Sequence, residues 1–185
     1  MELRESRTMP GDGYFLDCMD PGGDTGMSLF WIGPRDWEFL AYATVGYDPL
    51  IGRTTPTDTL RAWNRQYDGP HHLLYEDFHL RNTTADKDIT PLKVIGAVEQ
   101  VQYEHRLYQR VFKQEPIEAK HMVTDETLER LGLHLGHRHG QRHVRDCNRH
   151  AVTHLTRLRY RPVCEIAYPR RSRTTSRSAR PGLLP

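Results

Sequence analysis

At 185 residues the chain is long enough for one domain with a sizeable core and too short for two large ones. Hydrophobic residues at 37%, with 14 glycines besides, suit a globular fold, and no apolar run approaches the roughly 18 residues that span a bilayer. The net charge of +2 hides an asymmetry: residues 166–185 carry five arginines and no acid, which leaves 21 basic against 24 acidic side chains in the rest.

The segment through Gly13 is polar and mixed in charge, which predicts a flexible N-terminus over 1–13 and no secretion signal. Residues 14–19, 25–33 and 37–46 read as three successive strands, rich in aromatic and β-favouring side chains and separated by Pro, Gly and Asp. The first gap, Asp20-Pro-Gly-Gly-Asp-Thr25, leaves a carboxylate at a strand end beside exposed backbone. Such a place suits a hard metal ion or a phosphate, although Asp-Pro-Gly also makes ordinary hairpin turns. The second gap, Gly33-Pro34-Arg35-Asp36, is short enough for a hairpin.

A helix over 57–67 follows, with Thr55, Pro56 and Thr57 available at its start and Gly69-Pro70 as its stop. Residues 71–78 form a fourth strand carrying Glu76 and Asp77 near its end. Thr90-Pro91 opens a long helix to about Tyr108, and 111–113 make a short fifth strand. Two short helices over 116–122 and 124–131, a glycine- and histidine-rich loop over 132–140 and a last helix over 141–159 complete the order. Three antiparallel strands followed by helix–strand–helix–strand predict an α/β fold, a five-stranded sheet of mixed direction flanked by helices. The domain spans 14–165. The Ser/Thr/Arg/Pro segment 166–185 is a disordered basic tail, either a solvated end or an arm for a polyanion. The three cysteines form no CxxC pair and read as reduced thiols of a cytosolic protein.

On the last helix His143 and Asp146 share a face, and His150 extends it by a turn, beside the apolar stripe Cys147, Ala151, Leu155 and Leu158. Alone, that pair reads equally as a solvated surface group. Combined with Asp20 and Glu76 it makes three carboxylates and an imidazole, provided strands one and four are neighbours. Oxygen donors of this kind suit two Mg²⁺ or Mn²⁺ ions. Asp17 and Asp77 flank the two strand acids, but strand alternation aims them at the other face. His134, His137, His139, His143, Cys147, His150 and His154 are numerous enough for zinc, yet no spacing among them repeats a finger pattern.

Met19-Asp20-Pro21-Gly22 with Thr25-Gly26, Tyr75-Glu76-Asp77-Phe78, Glu118-Ala119-Lys120 with Thr124-Asp125, and the run His143 to Ala151 occur in an order that resembles the RuvC-type Holliday-junction resolvases. These are members of the ribonuclease-H-like nucleases, and the likeness is to phage-encoded members in particular, over residues 14–158. The resemblance implies a ribonuclease-H-like sheet and two-ion hydrolysis of branched DNA, Holliday junction or flap, by a homodimer in a bacterial cytoplasm. It makes Asp20, Glu76, His143 and Asp146 the metal-binding and catalytic set. Phe78 falls close to the place where cellular resolvases carry a base-stacking aromatic, but out of register. The turn after Asp20 is one residue shorter than theirs. Lys120, Arg142, Arg145 and Arg149, with Arg170, Arg171 and Arg173 of the tail, are the candidate DNA contacts, and Lys93 and Lys113 are further cations to consider. The other readings of this order are a catalytically silent nucleic-acid-binding module of the same fold and an actin-like or sugar-kinase-like ATP-binding protein. The latter needs a second domain and a second phosphate loop.

Overall fold

The computed structural model describes residues 7–8, 11–47, 55–78, 88–136 and 140–169. Thirteen elements follow in order: β1 (Arg7–Thr8), β2 (Tyr14–Asp20), β3 (Asp24–Ile32), β4 (Trp37–Gly46), α1 (Pro56–Gln66), β5 (Tyr67–Asp68), β6 (His71–Glu76), α2 (Thr90–His105), β7 (Arg110–Gln114), α3 (Pro116–Met122), α4 (Asp125–Arg130), α5 (Gln141–Arg157) and α6 (Arg161–Ala167). Five strands make the main sheet in the order β4-β3-β2-β6-β7. The β2–β3 and β3–β4 pairs are antiparallel, whereas β6 lies parallel to β2 and β7 parallel to β6. The sheet is therefore the mixed five-stranded one that the element order predicts. The two-residue strands β1 and β5 pair separately, in parallel.

Central β2 is buried on both faces, and its alternation splits the core into two layers. Phe15 and Met19 join Leu73 and Tyr75 of β6 with Leu60 and Trp63 of α1 and Val94 and Val98 of α2. Leu16 and Cys18 join Leu74 with Cys147, Ala151 and Leu155 of α5, and with Val123, Leu128 and Val163 from the short helices. Each such aliphatic side chain contributes about 1.5–3 kcal/mol relative to exposure. Parallel strands tolerate nothing less, because helices must cover both faces.

Local chemistry sets the element ends. Thr55 caps α1 in a full capping box with Asp58, and Pro56 follows it inside the first turn. The hydroxyl of Thr124 accepts from the Thr127 amide at the start of α4. Arg106 ends α2 with φ of 50°, three residues before the predicted limit, and Gln102 caps the turn by bonding both backbone groups of Tyr108. The sequence reading did not include α6. Its core contribution is only Val163 and Ala167, too few apolar positions to stand out as a periodic pattern. Tyr160, just before it, donates to the carbonyl of Gly33 at 2.9 Å and ties this end of the chain to the β3–β4 hairpin.

A histidine stored in the core gives the fold a titration signature. The ring of His154 on α5 packs against Phe112 of β7 at 4.5 Å, and its buried Nε2 has no hydrogen-bond partner among the described residues. Burial, helped by His72 and Arg157, pushes its pKa from 6.5 down to about 4. The unfolded chain therefore takes up a proton that the folded chain refuses, so stability present above pH 6.5 is lost as the pH falls toward 4. After allowance for partial solvent screening the effect is on the order of 1–2 kcal/mol. Thermal unfolding of His154→Leu between about pH 6.5 and 4.5 is expected to lose less stability than the wild type over the same interval.

Candidate active site

Two acids meet because β2 and β6 run side by side in the same direction. Met19 pairs with Tyr75, so Asp20 and Glu76 come next at the same sheet edge. Both follow the alternation of Leu16, Cys18 and Leu74, which faces α5. Asp17 has the opposite parity. It is fully buried on the α1–α2 face, 2.6 Å from Nδ1 of His71, away from the other acids.

α5 lies across this edge. Its N-cap, Gly140, has φ of 87°, and its carbonyl accepts from Thr44 of β4 at 2.8 Å. Val144, Cys147, Ala151 and Leu155 point inward, and the Ser28 hydroxyl sits 3.1 Å from the Cys147 thiol. The neighbouring face carries His143, Asp146 and His150. Gly26, the β3 partner of Asp20, makes this approach possible: a Cβ there would lie 2.2 Å from the carbonyl carbon of His143. The first turn of the helix thus rests on bare backbone beside the acid.

Each carboxylate has its own partner. His143 Nδ1 lies 3.2 Å from Asp20 Oδ2, and His150 Nε2 lies 2.7 Å from Glu76 Oε2. Asp146 pairs with the Arg149 guanidinium, which also reaches Asp125, and Lys120 Nζ stands 4.0 Å from Asp146. Burial pushes the Asp20 carboxyl above its ordinary range, the His143 hydrogen bond opposes this, and the charges of Glu76 and Asp146 add to it. The bond to Asp20 raises the His143 imidazole against its partial burial, with Asp24 and Asp146 contributing further. The four side chains therefore sense one another electrostatically. Among the described residues no three ligand-type groups stand close enough to hold one ion in this arrangement. The donor chemistry nonetheless fits a hard divalent cation. Asp20 lies within electrostatic reach of Glu76 and Asp146, and their repulsion, which adds to the larger effect of burial on Asp20, is what a cation relieves.

A basic cleft of about 400 Å³ adjoins the acids, lined by Lys120, Arg142, Arg145 and Arg149 together with Thr124, Asp125 and Asp146. Within it Arg149 is mostly buried in its ion pairs, and Arg145 contacts His134 at 3.3 Å. Phe78 is not in this cleft; it packs against the core cluster on the α1–α2 side of the sheet. Lys113 pairs with Glu99 at 2.9 Å, also away from the cleft. Arg170, Arg171 and Arg173 lie outside the described residues, as do His137 and His139. Of the remaining histidines and cysteines, Cys147, His150 and His154 are engaged separately by Ser28, by Glu76 and by Phe112. The sequence gives no role to Gln114, which lies beside His150, and names Asp125 only within a motif, without its contact to Arg149. The i+4 spacing of His150 from Asp146 was the only available signal for the first.

No family model matches the sequence, and no curated protein matches it. By structure the chain is similar to RuvC of Thermus thermophilus, with a TM-score of 0.55 at 17% identity over 79% of this chain and 96% of that one. It is also similar to T. thermophilus RuvC in complex with a Holliday junction substrate, with a TM-score of 0.52 at 18% identity over 80% and 97% of the two chains. The fold is ribonuclease-H-like.

The close contact at Gly26 is directly testable. Gly26→Ala forces the start of α5 off β3 and is expected to destabilise the protein by about 1–3 kcal/mol in urea unfolding. Gly23→Ala, in the turn just before β3 and with nothing within 4 Å of the added methyl, is expected to change stability by under about 0.5 kcal/mol.

Proposed function

We propose that the chain is a divalent-metal-dependent endonuclease that cuts branched DNA, a four-way Holliday junction or a flap. The observation that carries this reading is the convergence of Asp20 and Glu76, at the ends of adjacent parallel strands, with His143 and Asp146 on the helix laid across them. Asp20, Glu76 and Asp146 are the groups to hold Mg²⁺ or Mn²⁺, with His143 as a fourth ligand or a proton carrier for Asp20. Two such ions supply the charge that activates a water and stabilises the leaving 3′-oxygen of an in-line displacement. Lys120, Arg142 and Arg145 bind backbone phosphates beside the acids, and Arg149 orients Asp146 from within. A homodimer presents two such clefts to symmetric strands, and the tail arginines Arg170, Arg171 and Arg173 add sequence-independent affinity. A phage protein acting in its host's cytoplasm is the setting this implies.

The pairing of Asp20, Glu76 and Asp146 each with a base, with no three ligand groups among the described residues close enough to share an ion, favours one rival: a nucleic-acid-binding module of the same fold without cleavage. Substitution separates the two. Asp20→Asn and Asp146→Asn are each expected to cut a four-way junction at least about 100-fold more slowly, while junction binding stays within a few-fold, because fixed charge acts on the transition state and cations supply the affinity. His143→Asp should keep activity where His143→Ala loses most of it. Substantial cleavage by either purified asparagine variant contradicts the assignment.

The tail has its own prediction. Ala167 is fully buried and the Tyr168 hydroxyl donates to the Met122 carbonyl at 2.9 Å, so a truncation must fall after residue 169. At roughly 0.9 per phosphate contact, partial engagement of the tail arginines steepens the log–log salt dependence of binding by about 2. Removing 170–185 should erase that increment for every DNA shape alike and leave the single-turnover rate unchanged. Binding titrations from low to moderate salt measure it.

A further inference from the structure

We propose that His150, fixed by Gln114, is a positioning residue for Glu76 and thereby for the cation that Glu76 would hold; this rests on reading the acidic cleft as a metal site. His150 is 1% exposed and lies one turn beyond Asp146 on α5. Its Nε2 is 2.7 Å from Glu76 Oε2 and its Nδ1 is 3.0 Å from the Gln114 side-chain amide. Glu76 and Gln114 are register partners on β6 and β7, so one imidazole spans the ends of two parallel strands from the helix above them.

The tautomer follows from donor and acceptor supply. A carboxylate oxygen only accepts, so Nε2 must carry a proton toward Glu76. The Gln114 amide nitrogen is buried without a hydrogen-bond partner among the described residues. Turning that amide by half a rotation places its N–H against Nδ1 and satisfies both groups, since oxygen and nitrogen of an amide are assigned from such networks. Gln114 then locks the ring with its proton on the glutamate side. The chain Gln114–His150–Glu76 holds one carboxylate oxygen still and restricts how the other can turn. Glu76 is an acid with a flexible stem at a strand end, and the His150 bond holds its orientation before a cation arrives. A ligating carboxylate that loses such support typically costs about 10–100-fold in metal affinity.

Mn²⁺ binding by calorimetry on the full chain tests this without reliance on cleavage. The comparison is wild type, Glu76→Gln, His150→Leu and His150→Gln, with thermal melts for each. The expected order is tight binding by the wild type, loss in Glu76→Gln, about 10–100-fold weakening in His150→Leu, and recovery to within a few-fold in His150→Gln, which restores an N–H donor. Wild-type affinity in a folded His150→Leu, with loss in Glu76→Gln, overturns the positioning role and leaves the metal site standing. Unchanged affinity in Glu76→Gln, or none in the wild type, overturns the metal reading itself. If His150→Leu does not fold, Gln114→Leu decides, because it keeps both His150 and Glu76 and removes only the tautomer lock. Several-fold weaker Mn²⁺ binding by a folded Gln114→Leu supports the relay, and an unchanged affinity overturns it.

Discussion

The parallel pairing of β2 with β6 is the constraint on which the rest of the cleft depends. It aligns two strand ends so that Asp20 and Glu76 emerge at one edge and on one face. An antiparallel arrangement would send one of them to the far end of the sheet. The parallel pair needs helical cover on both faces, and α5 supplies it on the acid side through Cys147, Ala151 and Leu155. The same helix therefore closes the core and delivers His143, Asp146 and His150. Packing and chemistry here are one arrangement.

Placing three acids together opposes folding, and the structure offsets that opposition locally. Asp20 is held above its ordinary range by burial and by its acidic neighbours, while His143, His150 and Arg149 each take up one carboxylate. The opposite face of the sheet handles its one buried acid in the same way, pairing Asp17 with His71, whose other ring nitrogen faces the Tyr67 carbonyl at 3.0 Å. The difference lies in surroundings. The His71 ring that holds Asp17 packs against Phe15 and Tyr108, whereas Asp20 senses the charge of Asp146, which lines a cleft with four basic side chains.

Much of the sheet could be read from the chain because its strands are rich in aromatic and β-favouring side chains and its turns carry Pro and Gly. Strand ends at Tyr14, Trp37 and Gly46 were legible to the residue. So was the shared face of Asp20 and Glu76, since strand parity and one neighbour relation determine it. What escaped depends on contacts between distant elements. Nothing in the run around Asp125 shows that α4 will bring it to Arg149, and nothing near Gln114 shows that β7 will stop level with Glu76. Phe78 illustrates the converse. Its place out of register with the resolvases' stacking aromatic favours packing instead, and beyond the strand end it lies against the α1–α2 core. α6 was missed because two small apolar residues on a seven-residue helix leave no pattern to see.

Metal-dependent phosphodiester hydrolysis on branched DNA is the activity proposed for this site. The most direct measurement is a gel assay of labelled four-way junction, flap and linear duplex with the full chain in Mg²⁺, in Mn²⁺ and in chelator. Cutting of at least one branched substrate is expected in one or both metals, with none in chelator and little of the linear duplex. Binding of the junction without cleavage of any substrate in either metal would contradict that activity.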